Sequence, residues 1–268
     1  MVPLVLYSGG MDSTLMLYLN LMTQSVDTLY VYCNGPEGRT MKEMEARERA
    51  TAWFELPKNQ EKLKGRVLRD HSVNLNETLV KVRKYRLIQP LAWLIAGLMA
   101  FDKDRHSEIQ IGYIIGDTAP IKSQELKTFW KNAYALMHWC DPEDAPPVRF
   151  PLIEHEYTKD RVLDDLPLEL ADRVWVCEVP RLNENGTYRY CKHCASCLTQ
   201  ASALDNYKRR HHWDYGAWVL HNRRRIVEGL ETPSRDQKIR NSEDYLIKEK
   251  EDESPDPAAG SDRIGKDC

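Results

Sequence analysis

The sequence lacks the features of a membrane or exported protein. None of its apolar runs approaches the roughly 20 residues that span a bilayer, and no signal-peptide pattern precedes the first predicted strand. The net charge of −3 over 268 residues is small, which argues against a protein that coats nucleic acid or a membrane surface. We therefore expect a cytoplasmic protein without a membrane partner.

The first glycine-rich turn lacks the marks of three familiar motifs. It has no Lys followed by Ser or Thr, as a Walker A loop requires, and no G-x-G-x-x-G fingerprint. It also lacks the glycine–serine spacing of a nucleophile elbow. What is present is a strand, a turn and a helix. Leu4–Tyr7 is an apolar run that suits a buried strand, Ser8-Gly9-Gly10 ends it, and Asp12 opens an amphipathic helix.

This turn is suited to binding a phosphate. Adjacent glycines, Gly9 and Gly10, permit positive φ and let a ligand approach the backbone closely. The helix that follows presents unpaired N–H groups and the positive end of its dipole. Ser8 and Ser13 can add hydroxyl donors. The alternative interpretation is a strand-to-helix turn without a ligand.

Strand and helix patterns alternate from residue 3 to about residue 153. The predicted strands after the first are residues 28–33, 66–68, 108–115 and 148–153, and the predicted helices after the first are residues 39–54, 91–101 and 124–139. This alternation predicts an α/β fold, a parallel sheet with helices on both faces. Ligands of such sheets bind beyond the carboxyl ends of the strands. The crevice would then be bordered by Ser8, Cys33–Asn34 and Gly116–Thr118.

Cysteine is sparse except in one short stretch. Seven cysteines in a long chain without an export signal indicate thiols or a metal site rather than disulfides. Four of them form the pattern C-x13-C-x2-C-x2-C, namely Cys177, Cys191, Cys194 and Cys197. The pattern suits a tetrahedral four-cysteine zinc site with a structural role, and an iron–sulfur cluster is the competing interpretation. Unligated thiols are a further alternative, and His193 as a ligand is disfavoured because it lies between better-placed cysteines.

The loop SGGMDS resembles the S-G-G-x-D-S pyrophosphate loop of the ATP-pyrophosphatase (PP-loop) superfamily. Together with the cysteine set, it is similar to the 7-cyano-7-deazaguanine synthase family of the queuosine pathway. That family has an apolar central helix, a strand with an isoleucine–glycine end, and a proline–leucine plus lysine segment. Their counterparts here are Leu91–Phe101, Ile109–Gly112, and Pro151-Leu152 with Lys159. The resemblance spans about residues 4–205.

The resemblance implies a PP-loop type fold and an ATP-dependent ligase. In that family ATP activates the carboxylate of 7-carboxy-7-deazaguanine, ammonia displaces AMP to give an amide, and a second activation dehydrates the amide to a nitrile. The cofactors would be ATP, Mg²⁺ and Zn²⁺. Asp12, Ser13 and Lys159 would be catalytic, although a solvated lysine at a helix start is an alternative for Lys159. The ATP-binding residues would be Ser8, Gly9, Gly10, Met11, Asp12, Ser13 and Thr14.

The departures from the family pattern concern the acceptor. The family's V-P-G-R-N before the central helix reads Arg86-Leu87-Ile88-Gln89-Pro90 here, and the loop after the fourth strand is shorter. We expect Arg86, Gln89 and Asp117 to contact an acceptor that differs at least in part. A divergent paralogue in phage DNA modification or bacterial defence is therefore an alternative. Such a paralogue would adenylate a nucleic acid or protein, and a non-catalytic nucleotide-binding subunit is a third class.

The chain divides into three predicted parts. Residues 1–170 form the nucleotide-binding domain, residues 171–240 the cysteine-cluster, zinc-binding helical segment, and residues 241–268 an acidic tail that we expect to be disordered. Within the second part, Tyr207–Arg225 interleaves cations with aromatic residues, which suits either a nucleic-acid strand or a helix packing its rings inward. The expected partners are a deazapurine and ammonia, and a homodimer or a nucleic-acid or protein partner is compatible with the sequence.

Overall fold

The computed structural model describes residues 1–32, 37–74, 89–117 and 122–211. Several predictions concern residues outside these ranges: Cys33–Asn34, Arg86, Thr118, most of Tyr207–Arg225 and the tail at 241–268. Residues Met1–Arg209 form one compact unit. The divisions at residues 170 and 240 stay predictions.

Five parallel strands form the central sheet, in the spatial order β3-β2-β1-β4-β5. The strands are β1 (Val2–Leu6), β2 (Val26–Tyr32), β3 (Leu68–Asn74), β4 (His106–Ile111) and β5 (Val148–Arg149). Leu4 of β1 lies opposite Asp27 of β2 and Ile109 of β4. The strand β1 is thus the centre of the sheet, and its apolar residues are covered on both faces.

Helices connect the strands and continue after the last of them. They are α1 (Met11–Leu21), α2 (Glu37–Glu55), α3 (Pro57–Lys62), α4 (Gln89–Ala100), α5 (Ser123–His138), α6 (Pro151–Glu154), α7 (Lys159–Asp165), α8 (Leu168–Ala171) and α9 (Ala195–His211), with a 3₁₀ turn at Pro142–Asp144. A short antiparallel hairpin, β6 (Arg181–Leu182) with β7 (Tyr188–Arg189), precedes α9. Within the described ranges, none of the helices has the length and apolar character needed to cross a membrane.

The two faces of the sheet carry separate cores. Along β1 and the residue after it, Leu4 and Leu6 belong to one cluster, whereas Val5 and Tyr7 belong to the other. This alternation follows from the two-residue period of a strand. Helices α4 and α5 cover the Leu4 face, and α1, α2 and α7 cover the Val5 face. The predicted α/β fold, with helices on both faces of a parallel sheet, is confirmed.

Some predicted boundaries were wrong, for physical reasons. The fifth strand ends at Arg149 rather than at residue 153, because Pro151 has no N–H for a sheet and begins α6. The third strand, predicted at residues 66–68, extends over Leu68–Asn74. Its sequence LRDHSVN has no apolar run, since this strand is at the edge of the sheet and most of its side chains are exposed. The apolar run of helix α4 would suggest a helix buried on all sides, but Met99 is 65% exposed.

The order of the strands fixes where a ligand can bind. From β1 the chain moves outward through β2 to β3, and it then returns to place β4 on the other side of β1. The connections after β1 and β4 therefore leave on opposite faces and open a crevice at the carboxyl ends of these two strands. The SGGMDS loop follows β1 at this edge, and a turn over residues 112–117 follows β4. That turn contains Gly116 and Asp117 of the predicted border, whereas residues 112–115 were predicted as strand.

Candidate functional site

The loop between β1 and α1 has a conformation that requires glycine at its second position. Gly9 has φ = +80°, and a Cβ added there would lie 2.8 Å from the Glu43 carbonyl oxygen and 2.9 Å from Cγ of Arg47. Both neighbours belong to α2, which packs directly against the loop. Gly10 follows with φ = −75° as the N-cap of α1, and no side chain caps this helix end. The N-terminus of α1 thus faces the crevice with backbone donors, as a phosphate site requires.

Two serine hydroxyls line the same loop. The hydroxyls of Ser8 and Ser13 share a hydrogen bond of 3.2 Å, and Ser13 also donates to the Gly10 carbonyl at 3.1 Å. The Gly10 N–H reaches the Ser8 hydroxyl at 3.3 Å, a long contact that a better acceptor can replace. The structure therefore places Ser8, Gly10 and Ser13 close together. That these three residues contact one anion stays a prediction.

The other predicted loop residues point elsewhere. Met11 and Thr14 are buried, Met11 in the apolar core. The backbone N–H and the hydroxyl of Thr14 both donate to the Gly10 carbonyl, at 3.0 and 2.7 Å. Thr14 thus stabilises the loop through the Gly10 carbonyl, and its assignment as an ATP contact stays a prediction.

Asp12 and Lys159 form an ion pair across 147 positions of sequence. The Lys159 Nζ lies 2.8 and 2.7 Å from the two carboxylate oxygens of Asp12. The Lys159 side chain is 15% exposed and the Asp12 side chain 21%, so the pair is partly shielded from water. Asp12 is in the first turn of α1 and Lys159 is the first residue of α7. Lys159 is therefore held at the mouth of the loop rather than solvated, which is where a phosphate-binding cation would have to be.

The turn after β4 brings a second acid to this place. A Cβ added at Gly112 would lie 3.0 Å from the Ser13 Cα, so this turn touches the start of α1. The carboxylate of Asp117 accepts a hydrogen bond of 3.0 Å from the Ile114 N–H. Burial raises the pKa of Asp117 above its usual range, the charge of Asp12 adds to this rise, and Lys159 opposes it. Asp117 thus interacts electrostatically with the predicted catalytic pair.

The predicted acceptor contacts are only partly described. Gln89 is exposed and begins α4, whereas Arg86 lies outside the described residues. Sequence reasoning missed an aromatic pair at the same edge, Trp93 of α4 and Tyr113 of the turn. Their rings are nearly parallel, with centroids 6.3 Å apart and an interplanar angle of 11°. Tyr113 was hidden inside the run EIQIGYII, which the apolar pattern assigned to a strand.

The four predicted cysteines meet at one point. Their Sγ atoms all lie within 4.8 Å of one another, a grouping that can hold a metal ion. Backbone N–H groups point at the sulfurs, from Cys191 to the Cys177 Sγ at 3.3 Å and from Cys194 to the Cys191 Sγ at 3.2 Å. His193 is outside the group, because its Nδ1 is hydrogen-bonded to the Cys191 carbonyl oxygen at 2.7 Å.

A hairpin explains the long gap between the first two cysteines. Strands β6 and β7 pair through Arg181 with Arg189 and Leu182 with Tyr188, and Gly186 in the turn has φ = +77°. The hairpin reverses the chain, so that Cys191 returns to Cys177. The long gap between Cys177 and Cys191 is therefore compatible with a single four-cysteine cluster.

The thiols of the cluster differ in their readiness to ionise. Burial alone would raise the pKa of Cys191, but hydrogen bonds from the N–H groups of His193 and Cys194 lower it to about 6. Burial raises the pKa of Cys177 and of Cys197. Thiolates are the metal-binding form, and a bound cation favours them over thiols. The sulfur-directed N–H groups suit a site in which all four cysteines bind as thiolates.

The cysteine cluster contacts the glycine loop through Trp175, another residue that sequence reasoning missed. Its backbone N–H donates to the Gly9 carbonyl at 3.0 Å, and its indole N–H donates to the Cys177 carbonyl at 2.8 Å. The signal in the sequence was the apolar run Val174-Trp175-Val176 before Cys177, which indicated burial but no partner. The two predicted sites are thus neighbours.

Comparisons with known proteins give only distant likenesses. No family model and no curated protein matches the chain. Among solved structures, a predicted subunit of tRNA methyltransferase from Methanocaldococcus jannaschii is 15% identical, with a TM-score of 0.34, over 59% of this chain and 70% of that one. The U34-tRNA thiolase NcsA from Methanococcus maripaludis, with its [4Fe-4S] cluster, is 17% identical, with a TM-score of 0.37, over 78% of this chain and 67% of that one. At these scores the likeness assigns no function.

The crowding at Gly9 gives a prediction with a matched control. Gly65 also has positive φ, at +66°, but an added Cβ there meets nothing within 4 Å. Gly65→Ala should therefore cost only the backbone strain of about 1–2 kcal/mol. Gly9→Ala adds a clash with α2 and should lower the free energy of unfolding by about 1–3 kcal/mol more. Urea denaturation of both variants measures the difference, and equal losses would show that α2 does not confine the loop.

Proposed function

We propose that this protein is an ATP pyrophosphatase of the PP-loop type that adenylates a carboxylate on a planar heterocycle. The observation that carries the proposal is the glycine loop after β1, which faces the crevice with the uncapped start of α1 and with Lys159 at its mouth. The acceptor is 7-carboxy-7-deazaguanine or a related molecule, ammonia is the second substrate, and the product is an amide and then a nitrile.

The loop supplies what a triphosphate needs. Phosphate oxygens are strong acceptors, and the N-terminus of α1 offers N–H donors together with the positive end of its dipole. The absence of side chains at Gly9 and Gly10 lets the phosphates approach the backbone. Ser8 and Ser13 add hydroxyls that at present bond to each other. Stabilising charge on the leaving pyrophosphate is the main contribution expected of such donors.

Asp12 and Lys159 have opposite electrostatic effects on a bound triphosphate. A carboxylate beside phosphates would repel them unless a cation intervenes. Lys159 is one such cation, since its Nζ is within hydrogen-bond distance of Asp12. Mg²⁺ prefers carboxylate and phosphate oxygens, and Asp12 offers such an oxygen at the loop. When bound, Mg²⁺ would neutralise phosphate charge, and Lys159 would then be free to contact a phosphate or the acceptor carboxylate.

A planar acceptor fits the other side of the crevice. Trp93 and Tyr113 are half-buried rings at this edge, and Tyr113 also stacks on Phe150, with centroids 6.4 Å apart. A planar heterocycle would extend this row of rings. Gln89 and Asp117 offer an amide and a carboxylate for the hydrogen-bonding edge of a base. An unpaired polar group on such an edge costs about 1–3 kcal/mol, so these partners would decide which acceptor binds.

The reaction balances with ATP and ammonia alone. The acceptor carboxylate attacks the α-phosphorus and expels pyrophosphate, which leaves an acyl adenylate. Ammonia adds to that carbonyl and expels AMP, giving an amide. The amide oxygen then attacks a second ATP in the same way, and loss of AMP and two protons gives the nitrile. The described residues need only bind, orient and neutralise charge, since ammonia is the nucleophile.

The metal of the cysteine cluster is proposed to be zinc. Four thiolates around one tetrahedral ion at about 2.3 Å have sulfurs roughly 3.8 Å apart. The grouping here, with all Sγ atoms within 4.8 Å of one another and Cys191 Sγ 4.0 Å from Cys197 Sγ, is close to that. An iron–sulfur cluster would hold the sulfurs around several irons and therefore further apart. Four protein ligands leave no open position, so the zinc is structural.

The ATP half of the proposal predicts the products and one essential lysine. Incubated with ATP, Mg²⁺, ammonia and 7-carboxy-7-deazaguanine, the protein should release AMP and pyrophosphate. Lys159→Met should lower kcat/KM for ATP by roughly 10- to 100-fold, because a hydrogen bond to a charged group contributes about 1.5–3 kcal/mol. The control is Lys131→Met, which removes an exposed lysine of α5 that pairs with Glu143. Release of ADP and phosphate, or equal losses in both variants, would contradict the proposal.

The acceptor half predicts a selective effect on KM. Gln89→Ala and Asp117→Ala should each raise the KM of the acceptor by roughly 5- to 100-fold while the KM of ATP changes little, since they remove partners of a base edge. Gln124→Ala, at an exposed glutamine in the first turn of α5, is the matched control. Mass spectrometry identifies the amide or nitrile. Efficient conversion that survives both substitutions would remove these residues from the acceptor site.

The metal prediction is decided by elemental analysis. Purified protein should contain one zinc per chain, and Cys194→Ser should lose most of it. Cys140→Ser is the control, because Cys140 packs against the other core of the sheet and is not part of the cluster. A brown protein that contains iron and sulfide would show that the iron–sulfur interpretation was right.

A further inference from the structure

We propose that the cysteine metal centre positions the phosphate loop through Trp175, so that occupancy of the centre controls the affinity for ATP. The inference rests on the proposed function, since it concerns the same loop. It assigns a positioning role to Trp175, which contacts both the loop and the cluster. On this proposal the metal does more than hold the chain together. Its loss would weaken nucleotide binding under conditions in which the protein is still folded.

The first step is the hydrogen bond from the Trp175 backbone N–H to the Gly9 carbonyl, 3.0 Å long. The Gly9 carbonyl and the Gly10 N–H belong to one planar peptide unit, in which they point in opposite directions. Fixing the carbonyl therefore fixes the direction of the N–H. That N–H points toward the Ser8 hydroxyl, inside the loop where we place a phosphate. Trp175 thus aims one of the donors of the proposed site.

The second step is the attachment of Trp175 to the cluster. The Trp175 side chain is 5% exposed, and its indole N–H donates to the carbonyl of the ligand Cys177 at 2.8 Å. Its ring stacks on Tyr190, with centroids 4.2 Å apart and an angle of 22° between the planes. Tyr190 immediately precedes the second ligand, Cys191. Trp175 therefore contacts the chain at Cys177 and next to Cys191, the two ligands that a bound metal would join.

The third step is a parallel contact through α2. Ala46 is fully buried in the cluster formed by Trp175 and the cysteines. Glu43, three residues before it, and Arg47, the residue after it, lie against Gly9 from the same helix. The metal centre, α2 and the loop thus form one packed body, in which moving the cysteines would shift two of the walls of the loop. Packed interiors transmit such shifts because they have little free space.

The experiment measures binding and local opening separately in the full-length protein. Zinc is removed with a chelator, and a non-hydrolysable ATP analogue with Mg²⁺ is titrated into the metal-loaded and metal-free forms by calorimetry. We expect the affinity to fall by about 10-fold or more without zinc and to return when zinc is added back. Hydrogen exchange at the Gly10 and Trp175 amides should accelerate at least as much, while the amides of β1 and β4 remain protected.

A variant keeps the test decisive if the metal-free protein unfolds. Trp175→Phe retains the ring stack on Tyr190 but lacks the indole N–H that reaches Cys177. It should keep its zinc and bind the analogue about 3- to 10-fold more weakly, the usual contribution of one neutral hydrogen bond. Cys140→Ser should change neither quantity, because this thiol is outside the cluster.

The outcomes separate this inference from the proposed function. Equal affinity with and without zinc, or full affinity in Trp175→Phe, would overturn the coupling while leaving ATP binding intact. If the metal-loaded protein binds no analogue at all, the proposed function fails. Hydrogen exchange at Gly10 then still decides whether the metal positions the loop, since it needs no nucleotide.

Discussion

The close packing of α2 against Gly9 is the contact on which the rest of the site depends. Glu43 and Arg47 leave no room for a Cβ at Gly9, and its positive φ is one that glycine adopts readily, so both features require glycine in the turn after β1. That turn aims the start of α1 at the crevice and leaves its first N–H groups without a side-chain cap. Arg47 is itself fixed, since its guanidinium pairs with Asp70 of β3 and lies 4.4 Å from the centre of the Tyr30 ring. The edge strand therefore supports the loop through one buried arginine.

The chain after β5 contributes two residues to the surroundings of the glycine loop. Helices α7 and α8 pack on the Val5 face of the sheet, and the chain then passes Gly9 at Trp175 before it enters the cysteine cluster. Lys159 comes from the same part of the chain, so the cation at the mouth and the tryptophan beside the loop are delivered together. This arrangement explains why residues more than 140 positions apart in sequence belong to one site. The connections that follow β1 and β4 leave on opposite faces of the sheet, and the crevice between them has room for both residues.

The sequence was informative where one local pattern determines one structure. The loop SGGMDS, the alternation of strands and helices, and the cysteine spacing each depend on short-range chemistry, and the fold and the grouping of the four thiols followed them. What could not be read were contacts made through the backbone or between distant segments. Trp175 acts on Gly9 through its N–H, which every residue except proline has. Tyr113 was assigned to a strand because an apolar pattern does not show that Gly112 leaves the sheet to touch Ser13. The edge strand β3 was cut short because half-exposed polar residues give no periodic signal.

The balance of charge at the crevice constrains any ligand that binds there. The charges with most effect on Asp117 are two acids, Asp12 and Glu178, and one cation, Lys159. Before a ligand arrives, the Lys159 charge is taken up by Asp12, so the described side chains offer a polyphosphate little net attraction. The dipole of α1 offsets part of this, but its effect is confined to the first turn. A triphosphate would therefore enter as a complex with a divalent cation, whose charge compensates both the phosphates and Asp12. Burial is the largest cause of the raised pKa of Asp117, the charges of Asp12 and Glu178 add to the rise, and Lys159 opposes it. An acceptor group that donates a hydrogen bond to Asp117 would stabilise its charged form, so contacts to both substrates would relieve the crowding of negative charge at the crevice.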